Sequence, residues 1–367
     1  AEYGDGGFLH LGQGKWYPGE QLPRWALSIF WRADGQPLWR NPALFADERA
    51  AANYTADDAR RFTQALARKL GLSTQYITPG YEDTWYYLWR ERKLPVNVDP
   101  FDSKLSDEME RVRLRRVFSQ GLEATVGYVL PLQAHAQTGW SPAQPKLGGT
   151  TWTTGPWFFR DERMYLIPGD SPMGYRLPLD SLPWVSAADY PYHIEQDPST
   201  PRDALPEGTA VRQQYAPHQM GGGFAEGGTV SLQNSSYIPA DPTQAPPASA
   251  YGPEGRGNVA SPAQAIDGRY PQRGESAAWL TRTALCVETR DPHRANGPKA
   301  EVDHGGKNSH LYVFMPPMAR LEDYLDLLAA VEATAEKLGM KVVLEGYPPP
   351  RDPRLKMLQV TPDPGVI

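Results

Sequence analysis

The chain has 367 residues, 40% of them hydrophobic, which is enough for two domains with ordinary cores. Its formal net charge of -6 leaves no basic surface for nucleic acid or anionic lipid, and no apolar run approaches the ~20 residues of a membrane-spanning helix. The single cysteine, Cys286, excludes an internal disulfide framework and fits a reducing compartment, so we expect a cytoplasmic protein without membrane or nucleic-acid partners.

The first block, residues 1–185, is rich in aromatic residues and is predicted to mix helices and strands. A strand beginning at Phe8 leads into a glycine-rich turn, and residues 25–31 form an extended or short helical apolar segment. Thr55 is a predicted N-cap, because acidic residues follow it and apolar residues then recur at helical spacing as far as Gly71, the predicted stop.

The rest of this block predicts one more helix and two short strands. Residues 107–120 place a narrow apolar stripe on a strongly charged cylinder, which is typical of a surface helix. Residues 126–132 and 164–167 are short apolar runs bounded by Gly and Pro, which is typical of strands.

Residues 186–279 differ in composition, with Pro, Gly, Gln and Ser dominating and apolar residues appearing singly. Such a segment does not bury enough surface to offset the entropy lost on ordering. The composition therefore favours a disordered linker or insertion of low complexity. The alternative is a lid that becomes ordered when a ligand binds.

The last block, residues 280–367, predicts a strand, strand, helix, strand, strand order. The helix is predicted over Leu321–Leu338, with Gly339 following as its stop. The strands that precede and follow it are predicted over residues 282–288, 310–315 and 341–346, and a final extended segment starts at Leu355. The helix connects two strands, so a right-handed crossover on one face of a sheet is expected.

The two ends of the sequence predict an internal piece of a longer protein. Ala1 is neither an initiator Met nor the start of a signal peptide. Val366 and Ile367 resemble the first residues of a further strand. We expect part of the functional machinery to lie beyond Ile367.

The stretch ending at Lys15 invites comparison with a phosphate-binding loop. Such a loop requires Gly at position 9 and Ser or Thr at position 16, where this chain has Leu9 and Trp16. A glycine-rich turn between packed aromatic residues is therefore favoured. Lys15 and Arg24 remain candidate ligands for a nucleotide phosphate in a nearby polar pocket.

Cys286 is the one thiol that a cysteine hydrolase would have as nucleophile in this chain. It lies between Leu285 and Val287 in a predicted apolar strand, and free cysteines are often buried. The sequence therefore favours a core cysteine.

Glu288, Glu345 and Asp363 each fall at or just after the end of a predicted strand. Carboxylates gathered at strand ends are suited to Mg²⁺, which takes hard oxygen ligands and keeps substrate phosphates in its shell. On residue type alone, solvated strand-end charges are the favoured alternative. The histidines show no spacing typical of a zinc site.

Several segments together resemble a bacterial family of large proteins that join a transglutaminase-like domain to an amidoligase domain of glutamine synthetase-like fold. The resemblance covers both ordered blocks and skips the low-complexity middle. The segments that carry it are residues 7–20, 22–26, 94–100, 167–174, 177–184, 345–355 and 361–367.

This resemblance implies an α+β fold: an aromatic-rich mixed block, then a disordered linker, then the opening strand-helix-strand part of a glutamine synthetase-like sheet, truncated at its C-terminus. It also implies an ATP- and Mg²⁺-dependent ligase that joins a carboxylate substrate to an amine substrate, either of which can be a peptide or protein. The family's Glu-x-Asn segment would follow Ile367, and its transglutaminase-like domain would precede Ala1. The catalytic residues are therefore unknown, and the chain alone is expected to be inactive.

Two other interpretations stay open at this point. The tryptophan-rich first block would suit a non-catalytic binding or scaffold region. Alternatively, the parent protein acts as a transglutaminase or cysteine peptidase through its upstream domain.

Overall fold

Eleven strands, two α-helices and two short 3₁₀ helices make up the regular structure described in the computed structural model of the chain. The described residues are 6–13, 25–82, 124–136, 150–157, 163–166, 202–208, 281–291 and 308–361, with residues 197, 199, 211 and 215. They belong to a unit formed by residues 1–216 and 267–367. A second unit, residues 217–266, lies outside them, as do the predicted helix over 107–120 and the candidates Lys15, Arg24 and Asp363.

The element bounds follow the chain. The helices are α1 (Ala56–Lys69) and α2 (Leu321–Leu338). The strands of the first part are β1 (Phe8–Gln13), β2 (Trp25–Arg32), β3 (Thr78–Glu82), β4 (Thr125–Pro131), β5 (Gln133–Ala136), β6 (Thr150–Thr153) and β7 (Met164–Leu166). The later strands are β8 (Ala284–Arg290), β9 (His310–Met315), β10 (Val342–Gly346) and β11 (Leu355–Val360).

Nine of these strands form one mixed sheet in the order β11-β2-β1-β10-β9-β8-β4-β3-β7. Strand β10 lies parallel to both β1 and β9, whereas β8 lies antiparallel to both β9 and β4. Strands from residues 1–185 and from residues 280–367 thus share one sheet. The mixed α and β prediction is confirmed, and the domain boundaries themselves stay predictions.

Helix α1 shows how local sequence sets an element. Thr55 and Asp58 form a capping box, in which Asp58 N–H donates to Thr55 Oγ1 and Thr55 N–H donates to the Asp58 carboxylate. Phe62 and Leu66, predicted on one face, are fully buried, and Gly71 follows the helix with a φ of 74°. The prediction of this helix is confirmed.

Helix α2 connects the parallel neighbours β9 and β10, as the sequence predicts, and Gly339 ends it in the left-handed conformation. Thirteen of its 18 residues are buried, including the carboxylates Asp323, Asp326 and Glu332. These acids accept hydrogen bonds from other elements, such as the one that Trp152 of β6 donates to Asp326 at 2.7 Å. The helix is therefore enclosed by the sheet, by α1 and by the β5–β6 ribbon.

Residues 25–31, which the sequence leaves as either an extended or a short helical segment, form strand β2. Beside it, β11 is an edge of the nine-stranded sheet, and its Leu358 and Val360 are 55% and 62% exposed. Leu9 and Leu27 on the adjoining strands are also exposed. This corner of the sheet is its least covered described part.

Part of the predicted linker, residues 186–279, is held against this unit. Arg32 donates to the Pro206 carbonyl at 2.6 Å, Tyr215 donates to Asp326 at 2.5 Å, and Arg202 pairs with the buried Asp352. At these positions the segment is anchored, and a linker over the rest of 186–279 stays a prediction.

Neither helix in the described ranges combines the length and apolar character that a membrane crossing requires.

Candidate active site

The sheet has two chemically different faces. Residues alternate between faces along a strand, so Leu285 and Val287 of β8 pack with the helices whereas Cys286, Glu288 and Arg290 point to the opposite face. Opposite residues of an antiparallel pair share a face, which places Glu288 beside Tyr312 of β9. Glu345 of β10 lies on the same face, two strands away.

Arg290 joins the two glutamates. Its Nη1 donates to Glu345 Oε1 at 2.8 Å and its Nη2 donates to Glu345 Oε2 at 2.5 Å, so both carboxylate oxygens are engaged. Nη1 also donates to Glu288 Oε1. The side chains of Glu288 and Glu345 are 1% and 0% exposed, and that of Arg290 is 16% exposed. We call Glu288, Arg290 and Glu345 the charge cluster.

Tyr312 supports the charge cluster from the strand between the two glutamates. The Arg290 guanidinium carbon lies 3.5 Å from the centroid of the Tyr312 ring, within the range of a cation–π contact. The Tyr312 hydroxyl donates to Glu48 Oε1 at 2.5 Å. Glu48 belongs to the loop between β2 and α1, so this bond ties the loop to the sheet face.

Burial and charge act against each other on Arg290. Desolvation of the guanidinium favours its neutral form, but the carboxylates of Glu345 and Glu288 outweigh desolvation and raise the pKa of Arg290 well above its ordinary value. Arg290 is therefore a permanent cation. Burial also raises the pKa of the Tyr312 phenol, so its proton remains available to Glu48.

Gly127 of β4 makes room for Glu288 on the neighbouring strand. The two residues are register partners, and a Cβ at position 127 would lie 2.9 Å from the Glu288 Cβ and 2.7 Å from the Val287 carbonyl oxygen. No side chain fits that space without a shift of backbone. A glycine inside a predicted strand is a sequence signal of such a close approach.

The structure brings together two of the three carboxylates proposed from the sequence. Glu288 and Glu345 meet through Arg290, although they lie on the sheet face and not at a common strand end, because β8 runs antiparallel to β9 and β10 is parallel to β9. The third, Asp363, lies outside the described residues, as do Lys15 and Arg24. The alternative of solvated charges is wrong for Glu288 and Glu345, since both are buried.

Two other sequence interpretations are resolved in part. Cys286 is 1% exposed, and burial, with the nearby charges of Glu288 and Glu345, raises the pKa of its thiol well above the ordinary value. It is a core cysteine and not a thiolate nucleophile.

Gly12, in the glycine-rich stretch that ends at Lys15, faces Gly346 of β10. A Cβ at position 12 would lie 2.8 Å from the His10 ring, so this glycine serves strand packing.

Sequence reasoning missed Arg290, Tyr312 and Glu48. One signal was present: Arg290 follows Glu288 by two positions, and residues two apart in a strand share a face. Arg290 and Glu345 are 55 residues apart in the sequence, and Tyr312 and Glu48 are 264 residues apart. These contacts depend on the register of the sheet and on the path of the loop before α1, which local sequence does not specify.

Comparison with known proteins yields one match. A family model described as "Putative amidoligase enzyme (DUF2126)" matches residues 1–367. No curated protein and no solved structure matches the chain.

Proposed function

We propose that this chain, which belongs to the amidoligase family matched over residues 1–367, carries part of the active site of an ATP- and Mg²⁺-dependent carboxylate–amine ligase. The single observation that supports it most is the charge cluster, where two buried carboxylates and one guanidinium share a sheet face. We further propose that this sheet is the opening part of a glutamine synthetase-like domain.

The charge cluster fits the chemistry of a metal-bound nucleotide. Mg²⁺ on a nucleotide usually takes one or two protein carboxylates and completes its shell with phosphate oxygens and water. Glu288 and Glu345 provide two carboxylates. Among the described residues no group of three or more His, Cys, Asp and Glu side chains is arranged to hold a metal, so a metal site built from protein ligands alone does not fit these positions.

The proposed reaction has two steps. In the first, an oxygen of the carboxylate substrate bonds to the γ-phosphorus of ATP, the bond from that phosphorus to the bridging oxygen breaks, and ADP leaves. In the second, the amine nitrogen bonds to the acyl carbon, the bond from that carbon to the phosphate oxygen breaks, and the amine loses a proton. The products are an amide, ADP and phosphate.

The residues of the chain serve mainly as electrostatic partners in this scheme. Bound Mg²⁺ would neutralise charge on the nucleotide phosphates, and Glu288 and Glu345 would hold it. Arg290 offers several donors in a planar fork that suits phosphoryl oxygens, on which charge is spread during transfer. Lys15 and Arg24 remain proposed phosphate ligands and Asp363 a proposed metal ligand.

The test is amine-dependent release of ADP. The full-length protein is supplied with ATP, Mg²⁺ and panels of carboxylate and amine substrates, and Glu345→Gln is compared with Glu336→Gln, which alters an exposed glutamate of α2. Loss of turnover in Glu345→Gln alone supports the proposal. Full turnover in Glu345→Gln removes Glu345 from the mechanism.

A further inference from the structure

We propose that Arg290 makes metal binding at Glu288 and Glu345 conditional on nucleotide, by occupying their carboxylate oxygens until phosphate offers the guanidinium another partner. This inference rests on the proposed function, because it takes these two glutamates as the metal ligands. It concerns the order and coupling of binding, which the proposed reaction alone leaves open.

Arg290 occupies the carboxylate oxygens that a metal ion would need. Both oxygens of Glu345 accept hydrogen bonds from Arg290, at 2.8 and 2.5 Å, and Oε1 of Glu288 accepts a third. A divalent cation needs the same oxygen lone pairs and carries the same sign of charge as the guanidinium. Metal and Arg290 therefore compete for the two carboxylates.

Displacing Arg290 from its carboxylates is costly. Its side chain is 16% exposed, so a guanidinium pushed off its carboxylates is left as a poorly solvated cation, and breaking a buried pair in this way is strongly unfavourable. A metal ion arriving alone has to overcome this cost. We expect weak binding of free metal by the wild-type chain.

A nucleotide phosphate replaces the carboxylates as the partner of Arg290. A nucleotide phosphate accepts the donors of a guanidinium in the same forked geometry as a carboxylate. The Tyr312 ring contacts the guanidinium through its π face and takes none of the N–H donors that phosphate needs. When phosphate engages Arg290, the carboxylates are released for the metal, so nucleotide and metal strengthen each other's binding.

The experiment titrates the full chain with Mn²⁺ as the probe and detects protein-bound Mn²⁺ by water proton relaxation, with and without a non-hydrolysable ATP analogue. A protein-free titration corrects for Mn²⁺ held by free analogue. Wild type is compared with Arg290→Met, Arg290→Lys and Arg60→Met, the last altering an arginine of α1 that is 49% exposed.

The expected result has two parts. The analogue tightens Mn²⁺ binding by wild type and by Arg60→Met by about 5- to 150-fold, the usual range for coupled sites. Arg290→Met binds Mn²⁺ about tenfold or more tighter than wild type in the absence of analogue and gains little when it is added. Arg290→Lys, which keeps the charge without the fork, lies between them.

Three results would overturn the inference. If wild type binds Mn²⁺ equally well with and without analogue, and Glu345→Gln abolishes that binding, the conditional role of Arg290 is refuted while the proposed metal site stands. If wild type binds no Mn²⁺ under either condition, the metal site proposed at Glu288 and Glu345 fails, and the conditional role of Arg290 fails with it. Binding of free Mn²⁺ by Arg290→Met that is no tighter than binding by wild type would also refute the role of Arg290, and Arg290→Lys provides the same comparison where Arg290→Met does not fold.

Discussion

The hydroxyl of Tyr312 donates a 2.5 Å hydrogen bond to Oε1 of Glu48, and the ring of the same tyrosine lies 3.5 Å from the guanidinium carbon of Arg290. One side chain therefore connects the loop before α1 to the charge cluster. The hydrogen bond and the ring contact are separable by mutation.

Two substitutions at Tyr312 separate these contacts. Tyr312→Phe keeps the ring and removes the bond to Glu48, so we expect a loss of unfolding free energy of about 1.5–3 kcal/mol, the range for a hydrogen bond to a charged group. Tyr312→Leu also removes the cation–π contact and should cost ~1–2 kcal/mol more. Urea unfolding measures both values. Equal stability of the two variants would show that the ring contact contributes nothing.

We expect loss of the Asp326 carboxylate of α2 to destabilise the protein more than loss of the Tyr312 hydroxyl. Its Oδ2 accepts from Trp152 Nε1 at 2.7 Å and from the Tyr215 hydroxyl at 2.5 Å, and all three side chains are buried. Asp326→Ala leaves both donors without this acceptor, at ~1–3 kcal/mol for each buried unsatisfied group. Chemical denaturation of the variant and wild type provides the measurement.

The matched control for Asp326 is Tyr215→Phe, which removes one donor and leaves none unsatisfied. We expect it to cost about 1.5–3 kcal/mol, the range also used for Tyr312→Phe. A double-mutant cycle of the two variants should show coupling, because both remove the same bond. Additive effects would contradict a direct contribution from the Tyr215 bond to Asp326.

The sequence predicts those parts of the fold that local chemistry determines. Helix α1 follows from its cap at Thr55 and the spacing of its apolar residues. The order β9, α2, β10 follows from the apolar residues, whose sequence period changes from two to about 3.6 and back to two. The pairing of β1 with β10 joins residues 11 and 345, and no local signal specifies which strands become neighbours across that separation.

The candidate site was predictable to the same extent. Glu288 and Glu345 were found because carboxylates in strands are conspicuous, whereas their common partner Arg290 depends on which face each strand presents. The burial of the α2 acids likewise depends on tertiary partners, because donors from β6 and from residue 215 allow Asp326 to lie inside.

We expect the thiol of Cys286 to be unreactive in the native chain. It is 1% exposed and burial raises the pKa of its thiol well above the ordinary value, so the native chain should not react with Ellman's reagent at pH 8 and should release one equivalent of chromophore after denaturation. The control is Ala51→Cys, which places a thiol at an exposed position of the loop before α1 and should label in the native state. Rapid native labelling of wild type would return Cys286 to consideration as a nucleophile.

We expect the buried imidazole of His10 to make the free energy of unfolding depend on pH. The ring is 1% exposed on β1, and burial lowers its pKa from 6.5 to about 4, an effect that the nearby carbonyls of Tyr347 and Glu345 offset only in part. As the pH falls through 6.5 the unfolded chain takes up this proton before the folded chain does. The contribution of His10 to the free energy of unfolding is therefore fully present above pH 6.5. It is lost as the pH falls from 6.5 to 4, by ~3 kcal/mol in total.

Urea unfolding at several pH values between 7 and 4 measures this loss, and His10→Asn isolates the contribution of the imidazole. The variant is expected to be less stable at pH 7, because it changes a packed ring that contacts Phe8 and Phe30 edge-on. Its stability should nonetheless fall less steeply than that of wild type, since Asn does not titrate in this range. Parallel curves for the two proteins would mean that His10 takes up its proton equally well in the folded state, and the pH dependence would then belong to other groups.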